Sequence, residues 1–207
     1  MILRKLILFI FLILFFGFLS DSSAVTVYNE SVSGDLSNSG TTPTPVTVSA
    51  GSNDIFGTTG RAASGALDLD YFTINVPSGL GLRSIIVLPG TAGGPPTLVS
   101  FLGIQAGSQV TVPITAANAA GLLGYHLYGA TEINTDILPA IGTAGNSSTG
   151  FVPPLGPGSY AFWIEEGATG TFPYGFSLVL AQVPEPTALA MILAGLSVLL
   201  TMRRRKN

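Results

Sequence analysis

The chain of 207 residues has no cysteine, one histidine (His126) and one tryptophan (Trp163). Without thiols there are no disulfide staples and no cysteine nucleophile, and a lone imidazole supplies too few donors for a zinc centre. Charge is scarce too. Eight basic and 11 acidic side chains make 9% of the chain, against roughly 25% in an ordinary soluble domain. Between Val25 and Val183 only Arg61 and Arg83 stand against nine carboxylates. That balance lacks the cationic stripe that neutralises phosphates, so nucleic acid is not an expected partner. No serine lies in a Gly-x-Ser-x-Gly elbow, which leaves a Ser-His-Asp hydrolase without an anchor. No catalytic residue and no enzyme activity are expected.

The apolar residues concentrate at the ends. Arg4 and Lys5 precede the unbroken apolar run Leu6 to Leu19, and Ser22-Ser23-Ala24 follows. A charged start, an apolar stretch and a small-x-small site make a secretory signal over residues 1–24, cut after Ala24, with an uncleaved anchor as the alternative. The second run, Thr187 to Met202, has 16 residues and rises about 24 Å as a helix, short for a hydrocarbon core of about 30 Å. Arg203, Arg204, Arg205 and Lys206 close it, and their long stems can snorkel to an interface. The positive-inside rule keeps both basic ends cytoplasmic and places everything between them outside.

Pro184-Glu185-Pro186 stands directly before this span. Each proline fixes its own backbone and pushes the preceding residue into extended geometry, so Glu185 sits in a stiff strand at the membrane surface. Triplet, span and basic stop together resemble the PEP-CTERM sorting signal over residues 183–207. In that family the tail is read by exosortase, a membrane protease carrying its own cysteine nucleophile. The resemblance assigns recognition to Pro184, Glu185 and Pro186, and the membrane stop to Arg203 through Lys206. It implies a chain held in the inner membrane before processing and released to the cell surface or extracellular matrix afterwards.

The exported middle, residues 25–182, reads as mainly β. It holds 24 of the 26 glycines and 12 of the 14 prolines, which leaves little room for helices. Apolar residues alternate along Tyr71 to Val76, Ser159 to Glu166 and Phe172 to Leu180. In the second of these Tyr160, Phe162 and Ile164 share one face, with Ala161, Trp163 and Glu165 on the other. Further strands are expected at Val25 to Val32, Val46 to Ala50, Leu82 to Leu88, Leu98 to Gln105 and Tyr125 to Tyr128. One helix is expected at Ala116 to Leu123, and Gly142 to Gly150 reads as an exposed, mobile loop. The pattern predicts a single β-sandwich or jelly-roll-like domain between a signal helix and a transmembrane helix. Asp68 to Ile74 before a proline turn, with Gly158 to Ile164 later, resembles the bacterial pre-peptidase C-terminal domain. That family is a β-sandwich often appended to secreted enzymes as a stability or targeting module.

Asp68 and Asp70 lie two apart on a predicted strand, which puts both carboxylates on one face about 7 Å apart. They are candidate calcium ligands, with Asp54 as a further donor, for an ion that takes 6–8 oxygens. No other cofactor is expected. His126 reads as a satisfied structural side chain. Glu165 and Glu166 are adjacent, so they face opposite ways and cannot form a glycosidase pair; they read as a solvated strand end. Three functions remain in view. The favoured one is a non-catalytic surface or matrix protein acting in adhesion or exopolysaccharide association. The others are a carbohydrate-binding module, if Trp163 and tyrosines line one face, and a secreted hydrolase.

Overall fold

The computed structural model describes residues 23–92 and 100–183. The signal segment up to residue 22, the Pro184-Glu185-Pro186 triplet, the 187–202 span and the Arg203 to Lys206 stop lie outside the described residues. Among the described residues no helix is long and apolar enough to cross a membrane.

The fold is mainly β. In chain order the elements are β1 (Val25–Asn29), a one-turn helix α1 (Glu30–Ser33), β2 (Thr44–Pro45), β3 (Gly51–Arg61), β4 (Leu67–Val76), β5 (Leu80–Val87), β6 (Ser100–Ala106) and β7 (Gly124–Tyr128). A 3-10 turn (Ala130–Glu132), the short helix α2 (Leu138–Gly142), β8 (Gly158–Glu165) and β9 (Gly170–Gln182) complete the order. Hydrogen bonds link the strands as β5-β9-β3-β4-β8-β6-β7, with β1 parallel on β3 and β2 parallel on β4. All other ladders are antiparallel.

The sheet curls where β4 changes partner. Leu67 and Asp68 pair with Arg61 and Gly60 of β3, whereas Leu69 to Val76 pair with Glu165 to Gly158 of β8. The two halves therefore face one another over a shared core. Ile55, Phe176 and Leu178 from one half pack in the same cluster as Phe72, Ile104 and Phe162 from the other. Phe72 and Phe162 stack at 4.6 Å, and Tyr128 meets Phe176 edge-on at 4.9 Å across the two halves. Fully burying side chains of this size contributes about 1.5–3 kcal/mol each.

A second, smaller cluster lies on the outer face of β4 and β8. There Leu69, Tyr71, Ala161 and Trp163 pack under Val110, Val112, Ala119 and Leu122. The latter four belong to the β6 to β7 connection, which folds back as a strap. Expected alternation in β8 is thus present, but both of its faces are covered. The helix expected at Ala116 to Leu123 is absent: Gly121 sits at φ +104°, and the segment is pinned by Ala119 N–H to Asn146 O and Leu123 N–H to Ile104 O. The loop after α2 is exposed from Thr143 to Ser147, yet its far end is tied down by Thr149 and Gly150 N–H to Leu122 and Leu123 O.

Two further expectations are corrected. Val46 to Ala50 is not a strand: pairing stops at Pro45, and Val46 N–H to Thr73 O extends it by one bond while Val46 and Val48 bury their side chains. The neighbouring Gly51–Arg61 segment, rich in turn-type residues, is instead a central strand with ten pairs to β9. Val25 to Val32 is strand only as far as Asn29, whose side chain accepts from Ser31 N–H and turns the chain into α1.

Candidate functional site

Three carboxylates meet where β1 leaves β3 and β4 leaves β3. Glu30 and Asp35 come from α1 and the residues just after it, and Asp70 from β4; one oxygen of each lies within 4.8 Å of the others. Glu30 is held by backbone donors, with Leu36 N–H on Oε1 at 3.1 Å and Thr58 N–H on Oε2 at 2.7 Å. Asp70 is wholly buried. Its Oδ2 accepts from the Tyr174 hydroxyl at 2.7 Å, while its Oδ1 has no hydrogen-bond partner. Gly57 makes room for this arrangement, since a Cβ there would lie 2.3 Å from the Tyr174 hydroxyl and 2.8 Å from Cδ of Glu30.

The electrostatics are unfavourable for three charges. Burial pushes the Asp70 carboxyl up to about 9; the Tyr174 hydrogen bond pulls it down, and the charges of Glu30, Asp68 and Asp35 push it up. Glu30 is also raised by burial, against the pull of its two backbone donors. Burial and the charge of Asp70 hold Tyr174 protonated as the donor. Among the described residues no lysine or arginine forms an ion pair with a carboxylate, so no described cation answers the cluster. Hard carboxylate oxygens within 4.8 Å of one another, on a cluster whose Asp70 carries a buried oxygen without a partner, fit a calcium-type ion, with further ligands from backbone or water.

The residues singled out from the sequence separate accordingly. Asp70 joins the cluster, whereas Asp68, on the last pair before β4 changes partner, lies outside it in a shallow surface depression beside Arg61. Asp54 also lies apart, opposite Ser177 in the ladder, with Oδ1 buried and without a partner. His126 Nε2 is 2.7 Å from Glu132 Oε1, a satisfied pair. Glu165 and Glu166 do point to different surroundings, but they are not a solvated strand end: Glu166 is buried, accepting from Ser100 Oγ at 2.9 Å and Ala168 N–H at 2.9 Å. Glu30 and Asp35 were not legible as site residues, because only the pairing of β1 with β3 brings them to Asp70.

Under the strap lies a cleft of about 350 Å³. Phe101, Tyr125, Trp163 and Glu165 line it, with Asn118 and Asn146. Trp163 is 6% exposed, and its Nε1–H has no hydrogen-bond partner, at a cost of about 1–3 kcal/mol for a buried donor. Burial raises the Glu165 carboxyl; Arg61 draws it back, Glu166 pushes it up, and the Trp163 indole favours its ionised form without completing a hydrogen bond of normal geometry.

No protein-family model matches the chain, nor does any curated protein or any solved structure.

Proposed function

We propose that this is an exported surface or extracellular-matrix protein, sorted by exosortase through its C-terminal tail, with a non-catalytic β-sandwich of jelly-roll-like type as its folded part. The observation that carries the reading is the tail itself: Pro184-Glu185-Pro186, a 16-residue apolar span, and Arg203 to Lys206 in immediate succession. Secretory features at residues 1–24 agree with it, since both topology signals send the same segment outward. The curled mainly β fold is compatible with a sandwich, and the close approach of Phe176 to Tyr128 supports two layers over one core.

A non-catalytic role draws support from where the titratable groups lie. Asp70 is buried and Glu30, half-buried, is held by two backbone donors, the histidine is tied to Glu132, and Glu166 is buried against Ser100. In this reading the Glu30, Asp35 and Asp70 cluster holds calcium and fastens the N-terminal segment to the sandwich outside the cell.

The test is fractionation of the full chain in paired hosts with and without an exosortase. With the protease, the protein should leave the membrane fraction for the surface or medium; without it, the protein should stay membrane-bound. Identical fractionation in both hosts contradicts the sorting role.

A further inference from the structure

The outer cleft has the parts of a binding site that the folded chain does not use for itself. Its aromatic side is continuous: Trp163 meets Phe101 at 4.7 Å and Phe101 stacks on Tyr125 at 5.6 Å, while Tyr71, outside the lining, stacks on Trp163 at 5.9 Å. Gly103 pairs with Trp163 across the β6 to β8 ladder, and a Cβ there would stand 2.9 Å from the Phe101 ring. Glycine thus lets Phe101 lean over the sheet toward the indole. Phe101, Tyr125 and Glu165 remain half-buried, reachable from solvent. Buried indole N–H groups ordinarily find an acceptor, and here the donor and the Glu165 carboxylate share one cleft with nothing completing the bond between them.

The chemistry selects the ligand. A group that accepts from the indole and donates to the carboxylate is a hydroxyl, and an apolar C–H face is what aromatic rings can cover. Anions are disfavoured by the Glu165 carboxylate in the lining. A cation is not required, because Arg61 already opposes Glu165. The volume is at the small end for ligand sites, enough for a sugar unit and not for a long chain lying flat.

We propose that this cleft binds a neutral hexopyranose unit of a polysaccharide, its C–H face on Phe101 and Tyr125 and its hydroxyls bridging Trp163 Nε1–H and the Glu165 carboxylate. The biological setting rests on the surface-matrix reading above; the binding itself does not. Trp163 is the one tryptophan of the chain, so its emission reports on the cleft without a label.

The experiment titrates the full chain, purified in a detergent without a sugar headgroup, with glucose, galactose, mannose and N-acetylglucosamine to high millimolar concentration, with glycerol as the control polyol. At least one hexose should shift the Trp163 emission saturably while glycerol does not. Glu165→Gln and Tyr125→Ala should each weaken that response about tenfold or more, the loss of one good contact. Melting curves check each fold, and Glu165→Gln, which keeps the side-chain volume, serves if Tyr125→Ala unfolds. No saturable shift with any hexose, or an equal shift in Glu165→Gln, overturns the proposal. A chain that binds hexose but is never processed overturns the surface reading alone, and a processed chain without a hexose response overturns the cleft alone.

Discussion

Asp70 combines full burial, one hydroxyl donor and one oxygen without a partner, so its charge is the most costly in the described structure. In chelator its carboxyl is held up to about 9 from an ordinary 3.8. The folded state therefore keeps a proton that the unfolded chain releases. That stabilisation is complete below about pH 3.8 and is lost progressively as the pH climbs toward about 9. With chelator present, the melting temperature should fall between about pH 5 and about pH 8. Asp70→Asn should shrink that slope and raise the melting temperature at the upper pH, since it keeps an acceptor for Tyr174 without a charge; Glu30, shifted the same way, leaves a residual slope. Calcium should raise the melting temperature of the parent and not of Asp70→Asn. An unchanged slope in the variant contradicts the assignment. The sequence pointed to Asp70 but paired it with Asp68, because an i, i+2 rule sees one strand and cannot see that β4 changes partner between the two.

Among elements, β8 and β9 were legible because their apolar residues alternate and each opens on a glycine. Phe162 lies on the core face of β8, stacked on Phe72, and Phe162→Ala should cost about 3–5 kcal/mol in urea unfolding. By contrast, β3 hid behind turn chemistry. Its Asn53 looks like a loop residue, yet its side-chain amide donates to Ser49 O, Gly51 O and Leu178 O inside the fold. Gly57 in the same strand is a spacer. Gly57→Ala should displace Tyr174 from Asp70, lower the melting temperature and abolish the calcium response, whereas Gly156→Ala, with nothing within 4 Å of the added Cβ, should stay within about 0.5 kcal/mol of the parent. The strap was misread as a helix because its alanines and leucines carry helical propensity, while the apolar outer face of β4 and β8 takes Val112, Ala119 and Leu122 in irregular geometry. The aromatic cleft that it roofs follows from that docking and has no local signature.

At the scale of the whole molecule, the chain divides its hydrophobicity in two. The ends are apolar in continuous runs suited to a bilayer, and the middle is apolar in alternation suited to a curled sheet. The mainly β class was therefore readable from period and breakers, whereas the path of the ladder depends on long-range pairing and was not. A protein without cysteine should melt identically with and without reducing agent, and a shift on reduction would require another cause. The central claim, that the tail is a processing signal and not a plain linker and anchor, is tested most directly by intact mass spectrometry of the protein recovered from an exosortase-bearing host. The parent should begin at Val25 and lack the 187–207 segment, while Pro184→Ala with Pro186→Ala should retain that segment and remain in the membrane. The same C-terminal mass and the same fractionation for both proteins would contradict the account.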